Sequence, residues 1–250
     1  MKLGVGLLTY ERPELLHRTV STLWPFLGGA GHDMVAVIVD NGSAATTLAQ
    51  VRRTAVTIGA RLESRAAALL PAEDLEERNR RISAGFATLA ASLLACDCTH
   101  ALLVEDDWEC RAALPLAALA DHLDAHPHLG QIRLRDAHYD GTLTGCSARN
   151  FVTGEPIRFG YDYALGVATV AEAAMHWTNN PSLIRRAGLE FLATGHGSEL
   201  ETMRAFQRLH PVNGQLRPGA FIHLGPVRRR PELEAAGLFA PLRTDEGAVS

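Results

Sequence analysis

The chain has 250 residues, 47% of them apolar and 21% charged, a globular composition that excludes a disordered or fibrous protein. Its net charge of -4 excludes wholesale electrostatic attachment to nucleic acid or anionic membrane, while leaving room for a local basic patch. No apolar run reaches the roughly 20 residues that cross a bilayer.

Lys2 is the only lysine, so arginine clusters are weaker functional evidence here than in a chain of ordinary composition. The cysteines Cys96, Cys98, Cys110 and Cys146 lack a second pair at zinc-ligand spacing and are expected to be free thiols. Tyr10-Glu11-Arg12-Pro13 interrupts the short apolar start before a signal segment could form, so a soluble, cytoplasmic protein is expected.

Leu3 to Leu8 is a short apolar run that predicts a buried strand. Pro13 suits the first turn of a following helix, whose apolar face is Leu15, Leu16, Thr19, Val20 and Leu23, ended by Gly28-Gly29. Met34 to Val39 predicts a second strand, stopped by Asp40-Asn41-Gly42-Ser43, and a weaker third is expected around Val56-Thr57-Ile58. Pro71 to Ala95 reads as one long helix with Glu73 and Asp74 at its positive end. Ala101 to Val104 is a strand stopped by Glu105-Asp106-Asp107, Leu114 to Leu123 a helix, and Gln131 to Leu134 a strand. This alternation predicts an α/β fold with a mostly parallel central sheet flanked by helices. The second half is less regular. Tyr139 to Tyr163 reads as loop with short strands, Leu165 to Ala171 as a strand, Pro181 to Leu192 and Ser198 to Leu209 as helices, and Phe221 to Leu224 as a last short strand. An Arg-rich tail follows.

In an open parallel sheet, ligands bind beyond the carboxyl ends of the strands. Those ends are Thr9-Tyr10, Asp40-Asn41-Gly42-Ser43 and Glu105-Asp106-Asp107. Gly4-Val5-Gly6 lies inside a strand with Thr9 where a third glycine would stand, and no P-loop pattern occurs, so dinucleotide and P-loop ATP binding both recede. The acidic triplet is either a solvated turn or a site for a hard cation such as Mg2+ or Mn2+. The buried strand before it favours the second, because three carboxylates delivered into one turn repel unless a cation or hydrogen-bond donors compensate. Asp40-Asn41-Gly42-Ser43 alone is a turn signature; beside the triplet, Asp40 is placed to accept bonds from a uracil or ribose.

Val5 to Pro13, with Thr9, Tyr10 and Arg12, resembles the opening of GT-A glycosyltransferases, particularly glycosyltransferase family 2. Val37-Ile38-Val39-Asp40-Asn41-Gly42-Ser43 resembles that family's "V-[DN]-[DN]-G-S", and Leu103-Val104-Glu105-Asp106-Asp107 its DxD element, closer still to an E-D-D variant whose last Asp meets the metal. Trp177 to Arg186, containing Asn179-Asn180-Pro181-Ser182-Leu183, is similar to an "N-P-S-L-x-R" stretch on the sugar and acceptor side. Gly197-Ser198-Glu199-Leu200-Glu201 stands where the family shows "E-D-x-E"; Glu199 is favoured over Glu201 as the base. His223 resembles a late metal-binding histidine. In Asn79-Arg80-Arg81-Ile82-Ser83-Ala84-Gly85, Asn79 or Arg80 is only a loose counterpart of the family's "N-x-G-x-[AS]-x-A-R-N".

The resemblance covers most of residues 1–225 and implies a single GT-A catalytic domain there, with a nucleotide-sugar half (1–110), an acceptor half (111–225) and a tail (226–250). It implies a metal-dependent enzyme, using Mn2+ or Mg2+, that moves a sugar from a nucleotide-diphosphate sugar such as a UDP-sugar to an acceptor hydroxyl, with inversion. Asp107 and His223 would hold the metal, Thr9, Tyr10, Arg12, Asp40, Asn41, Glu105, Asp106, Asn180 and Arg228 the donor, and Glu199 would be the base. Arg229 and Arg230 would add charge over the diphosphate beside Arg228. A metal-dependent phosphohydrolase would need a nucleophilic Asp where Thr9-Tyr10 stands. A non-catalytic nucleotide-sugar binding module has no reason to retain Asp40, Asp107, Glu199 and His223 together.

Overall fold

The computed structural model describes residues 1–27, 33–65, 75–135, 150, 152–155, 157–166, 168–178 and 181–224. Strand β1 (Lys2–Thr9) occupies the middle of a parallel group. It pairs on one side with β2 (Asp33–Asp40), which pairs with β3 (Arg61–Ser64), and on the other with β4 (His100–Glu105). The sheet then continues through β9 (Ser182–Arg185), β6 (Leu129–Arg133), β10 (Val212–Arg217), β8 (Ala168–Ala173) and β7 (Phe159–Leu165). In this second part only β6 and β10 pair in parallel. A separate ribbon joins β5 (Trp108–Cys110) to β11 (Phe221–His223).

Alternation along β1 divides the core. Leu3, Val5 and Leu7 pack with α1 (Pro13–Leu27), α2 (Ala45–Thr57) and α4 (Leu116–Ala125). Leu8 joins Val37 and Val39 against α3 (Leu75–Ala95), α5 (Arg186–Ala193) and α6 (Glu199–Leu209). Gly4 and Gly6 face α3, and a Cβ on either would lie 2.8 Å from the Cδ2 of Leu93 or Leu89 respectively. These glycines let a helix approach a strand closely, which accounts for a G-x-G inside β1 without any phosphate.

Several expectations change. The strand expected at Val56-Thr57-Ile58 is the end of α2: Val51, Thr54 and Ala55 form a buried helical stripe, while Val56 is 76% exposed. The true strand, β3, is an edge strand carrying the Arg61–Glu63 ion pair and has no apolar alternation to reveal it. The helix expected over Pro181 to Leu192 is a strand followed by a helix. Ser182, Leu183 and Ile184 are all buried between β4 and β6, so this four-residue strand shows no alternation of exposed and buried positions, and its Leu183-Ile184 pair merges with the apolar stripe of the helix that follows. β10 was hidden by polarity. Its Asn213 accepts from the Gln131 amide (3.1 Å) and donates to the Met175 carbonyl, and its Gln215 donates to the Arg135 carbonyl (2.8 Å). β7 takes the end of the expected 139–163 loop. Gly28-Gly29, Glu73, Asp74 and Cys146 lie outside the described residues. Cys96, Cys98 and Cys110 are free thiols. Among the described residues no helix is long and apolar enough to cross a membrane.

Candidate active site

Register brings three strand ends together. Thr9 lies opposite Asp40, and Leu8 opposite Glu105. The loop after β1 is fixed through Glu11, which adopts a positive φ of 53°. Its amide donates to Ser43 Oγ (2.8 Å), and its carboxylate accepts from the Ala44 amide and the Thr47 hydroxyl (2.7 Å). Helix α2 has no side-chain cap of its own, so Glu11 supplies one from a distant loop and ties the β1 and β2 ends together.

The acidic triplet divides into three environments. Asp106 is fully buried. Its Oδ2 accepts from the Thr9 hydroxyl (2.7 Å) and the Tyr10 amide (3.3 Å), and its Oδ1 lies 2.6 Å from Arg12 Nη2. Thr19 Oγ1 also donates to the Asp106 carbonyl (2.7 Å), locking the turn to α1. Burial and the nearby Asp107 raise the Asp106 carboxyl to about 6, against the opposing pull of Arg12 and Thr9. Glu105 keeps part of its surface open, but the packing around its carboxyl, followed by Asp107, Glu199 and Asp106, pushes its pKa well up. Asp107 goes the other way. Burial opposes its charge, but the hydrogen bond from His223 and the Arg12 guanidinium outweigh that and hold it below the ordinary carboxyl value.

Arg12 is the counter-ion of this turn. It reaches Asp106 and, through Nη1, Asp107 Oδ2 at 2.7 Å; these carboxylates outweigh the effect of burial and raise its own pKa. His223 arrives from the opposite end of the sequence. In the β5–β11 ribbon it lies across from Trp108, stacked on that indole with ring centroids 4.6 Å apart, and the Leu224 amide donates to the Asp107 carbonyl (2.7 Å). Its Nε2 then stands 3.3 Å from Asp107 Oδ2. Asp107 Oδ1 is buried and has no hydrogen-bond partner among the described residues. An anionic oxygen left open beside an imidazole suits a divalent cation that takes oxygen and nitrogen together, as Mn2+ does.

At the end of β2, Asp40 Oδ2 accepts from the Gly42 (3.2 Å) and Ser43 (3.0 Å) amides, an Asx turn that Gly42 completes at φ 93°. Asp40 Oδ1 is buried without a partner among the described residues. Asn41 donates to the Arg81 carbonyl (3.0 Å) and accepts from Arg65, which also donates to that carbonyl (3.0 Å). Burial, and then Arg81, lowers the Arg65 pKa. Arg65 thus brings positive charge to this corner, beside Arg81, whose guanidinium pairs with Glu77 (3.0 Å). Neither carried a sequence signal, because each is one arginine among many and is placed by packing rather than by motif.

Ser198 caps α6 in a reciprocal box. The Glu201 amide donates to Ser198 Oγ (3.3 Å), and Glu201 Oε2 accepts from the Ser198 amide (2.7 Å), which lowers the Glu201 pKa. Glu201 is therefore engaged in the cap. Glu199 lies within electrostatic reach of Glu105. The structure thus gathers Thr9, Tyr10, Arg12, Asp40, Asn41, Glu105, Asp106, Asp107 and His223 at the strand ends. Asn179, Asn180, Arg228, Arg229 and Arg230 lie outside the described residues. Trp177 is core: it is 1% exposed and meets Phe86 edge-on at 6.1 Å, so it offers no face to an acceptor. His196 stacks on Phe191 at 4.0 Å and bonds Thr194, a local structural role.

No protein-family model and no curated protein matches the sequence. Solved structures do. The chain overlays glucosyl-3-phosphoglycerate synthase from Mycobacterium tuberculosis, solved with Mn2+ and UDP-glucose, at a TM-score of 0.51 and 17% identity, covering 96% of this chain and 80% of that one. It overlays S. aureus TarS at 0.50 and 15% identity, covering 90% of this chain and 37% of the other. A mannosyltransferase from Pyrobaculum calidifontis, in complex with GDP-Man and Mn2+, matches at 0.48 and 15% identity, covering 84% and 52%. The chain spans about half the length of this mannosyltransferase. The likeness to the first two is one of fold: the chain has the GT-A glycosyltransferase fold.

Proposed function

We propose that the protein is a metal-dependent glycosyltransferase that uses a nucleotide-diphosphate sugar as donor and a hydroxyl as acceptor, with inversion at the transferred carbon. The observation that carries this reading is the pairing of Asp107 with His223 beyond β4, with one buried Asp107 oxygen left without a partner among the described residues. The M. tuberculosis glucosyl-3-phosphoglycerate synthase, which shares the fold and was solved with Mn2+ and UDP-glucose, supports it.

Asp107 and His223 would hold Mn2+ or Mg2+. When bound there, such an ion neutralises the charge that develops on a diphosphate leaving group. The open oxygen of Asp40 accepts hydrogen bonds from the nucleoside, with Asn41, Thr9 and Tyr10 around it. Arg12 balances the acidic turn before the donor arrives. The Asp106 carboxylate, bonded to Thr9, Tyr10 and Arg12, positions the turn. Glu199 takes the acceptor proton as the hydroxyl attacks, a contribution of about 10²–10⁴-fold for a well-placed base. Glu105 raises the local negative charge, which favours a bound cation. Asn180 and Arg228 are assigned to the donor on the resemblance alone.

The test is turnover of a panel of UDP- and GDP-sugars by the full chain, with and without Mn2+. Slow metal-dependent release of the nucleoside diphosphate, lost in Asp107→Asn, supports the reading. Release of inorganic phosphate from simple phosphate esters at a comparable rate would point to a phosphohydrolase instead.

A further inference from the structure

A second group of metal-ligating side chains lies away from the acidic turn. His122 is on α4, His126 caps that helix at its C-terminal end, and Glu172 is on β8. One ligand atom from each lies within 4.8 Å of the other two. Val170 and Glu172, two residues apart, share the sheet face on which α4 packs. Glu172 is in register with Gly214, Ile132, Leu183 and Leu102 in turn, so four strand spacings, roughly 19 Å, separate it from β4.

Two observations point to a ligand rather than to a finished hydrogen-bond network. His122 and Glu172 are each 6% exposed. Yet among the described residues His122 Nε2 and Glu172 Oε1 have no hydrogen-bond partner, and they face each other across 4.0 Å, too far for a bond. Two buried polar atoms are therefore left open toward the same point. The flanking bonds suit metal ligation as well. His126 Nδ1 donates to the His122 carbonyl (2.9 Å), which leaves the ring's lone pair on Nε2. His128 Nε2 lies 3.1 Å from Glu172 Oε2 and orients that carboxylate. The Tyr163 ring packs against both imidazoles, at 4.8 and 4.7 Å between centroids.

We propose that His122, His126 and Glu172 form a site for a zinc-class divalent cation that joins the end of α4 to β8, independent of the acidic turn. Two imidazoles four residues apart and one carboxylate are a donor set that Zn2+ takes readily, with a fourth position left for water or for His128. Bonds of about 2.0–2.2 Å place tetrahedral ligand atoms about 3.3 Å apart, so the side chains need to draw in by about an ångström.

The experiment uses the full chain, stripped with a chelator and titrated with Zn2+ by calorimetry, with metal content checked by elemental analysis. Asp107→Asn is the background that removes the other site. One equivalent of Zn2+ retained in Asp107→Asn, and weakened at least tenfold by adding His126→Ala or Glu172→Gln, is the expected result. Co2+ in place of Zn2+ should give the visible bands of a tetrahedral centre, lost in the same variants. If Glu172→Gln fails to fold, the partly exposed His126→Ala still decides the matter. Absence of a stoichiometric ion in Asp107→Asn, or unchanged binding in the His126→Ala background, would overturn the proposal. Neither readout depends on sugar transfer.

Discussion

His223 Nε2 stands 3.3 Å from Asp107 Oδ2, although one residue closes β11 and the other precedes β5. The ribbon between those strands and the stack of His223 on Trp108 hold the pair. Asp107→Asn and His223→Ala should each lower metal-dependent turnover by at least about 10–100-fold, the loss that removing a mere outer-shell partner of a metal ligand already brings. Trp108→Leu should give a smaller loss, through a looser imidazole, with weaker apparent Mn2+ affinity. Steady-state rates against Mn2+ concentration check both.

Glu199 and Glu201 should separate cleanly. Glu199→Gln is expected to reduce transfer by about 10²–10⁴-fold while nucleotide-sugar binding survives. Glu201→Gln should leave turnover near wild type, because that carboxylate belongs to the α6 cap. Ser198→Ala removes the other half of the cap and should cost about 0.5–2 kcal/mol in denaturant unfolding. Rates and donor titration of the variants decide the assignment.

The close approach of α3 to β1 predicts a packing penalty. Gly6→Val places a Cβ 2.8 Å from Leu89 and 3.1 Å from Leu103, and should destabilise by about 1–3 kcal/mol. Gly85→Val meets Leu8 at 2.7 Å and the Asn41 carboxamide at 3.2 Å, so it should weaken donor binding as well as stability. Unfolding curves and donor titration distinguish the two effects.

His176 makes the fold acid-sensitive. It is 2% exposed, and burial, then Arg133 and Arg135, lowers its pKa to about 3. The unfolded chain takes up that proton below pH 6.5 while the folded chain does not. Its contribution to stability is therefore present above about pH 6.5 and lost as pH falls toward 3. By pH 4.5 the loss is roughly 2–3 kcal/mol. His176→Asn should flatten that part of the stability profile, measured by denaturant unfolding from pH 7.5 to 4.5.

Much of the nucleotide half was legible because its signals are local. β1, β2 and β4 are short apolar runs, each stopped by polar residues that the parallel register then brings side by side, as with Thr9 and Asp40. The Asp107–His223 association was suggested by resemblance, but its cause was not readable. β5 is three residues long, and it pairs with β11 from the far end of the chain. Arg12 bridging Asp106 and Asp107, and Arg65 against Asn41, depend on packing that no spacing encodes. In the second half, β9 and β10 contradict local pattern. β9 is four residues long and, being central, buries its consecutive Leu183 and Ile184 without alternation, and β10 carries buried Asn213 and Gln215 whose bonds are made across strands. The His122, His126 and Glu172 cluster escaped notice because a helix end and a strand remote in sequence compose it.

The central claim is tested most directly by titrating Mn2+ into the full chain with UDP or GDP present and following the electron paramagnetic resonance signal of free Mn2+. Wild type should take up Mn2+ in a nucleotide-dependent manner, and Asp107→Asn and His223→Ala should lose this uptake. Nucleotide-dependent uptake that is equal in wild type and in Asp107→Asn, or none in wild type, would contradict it.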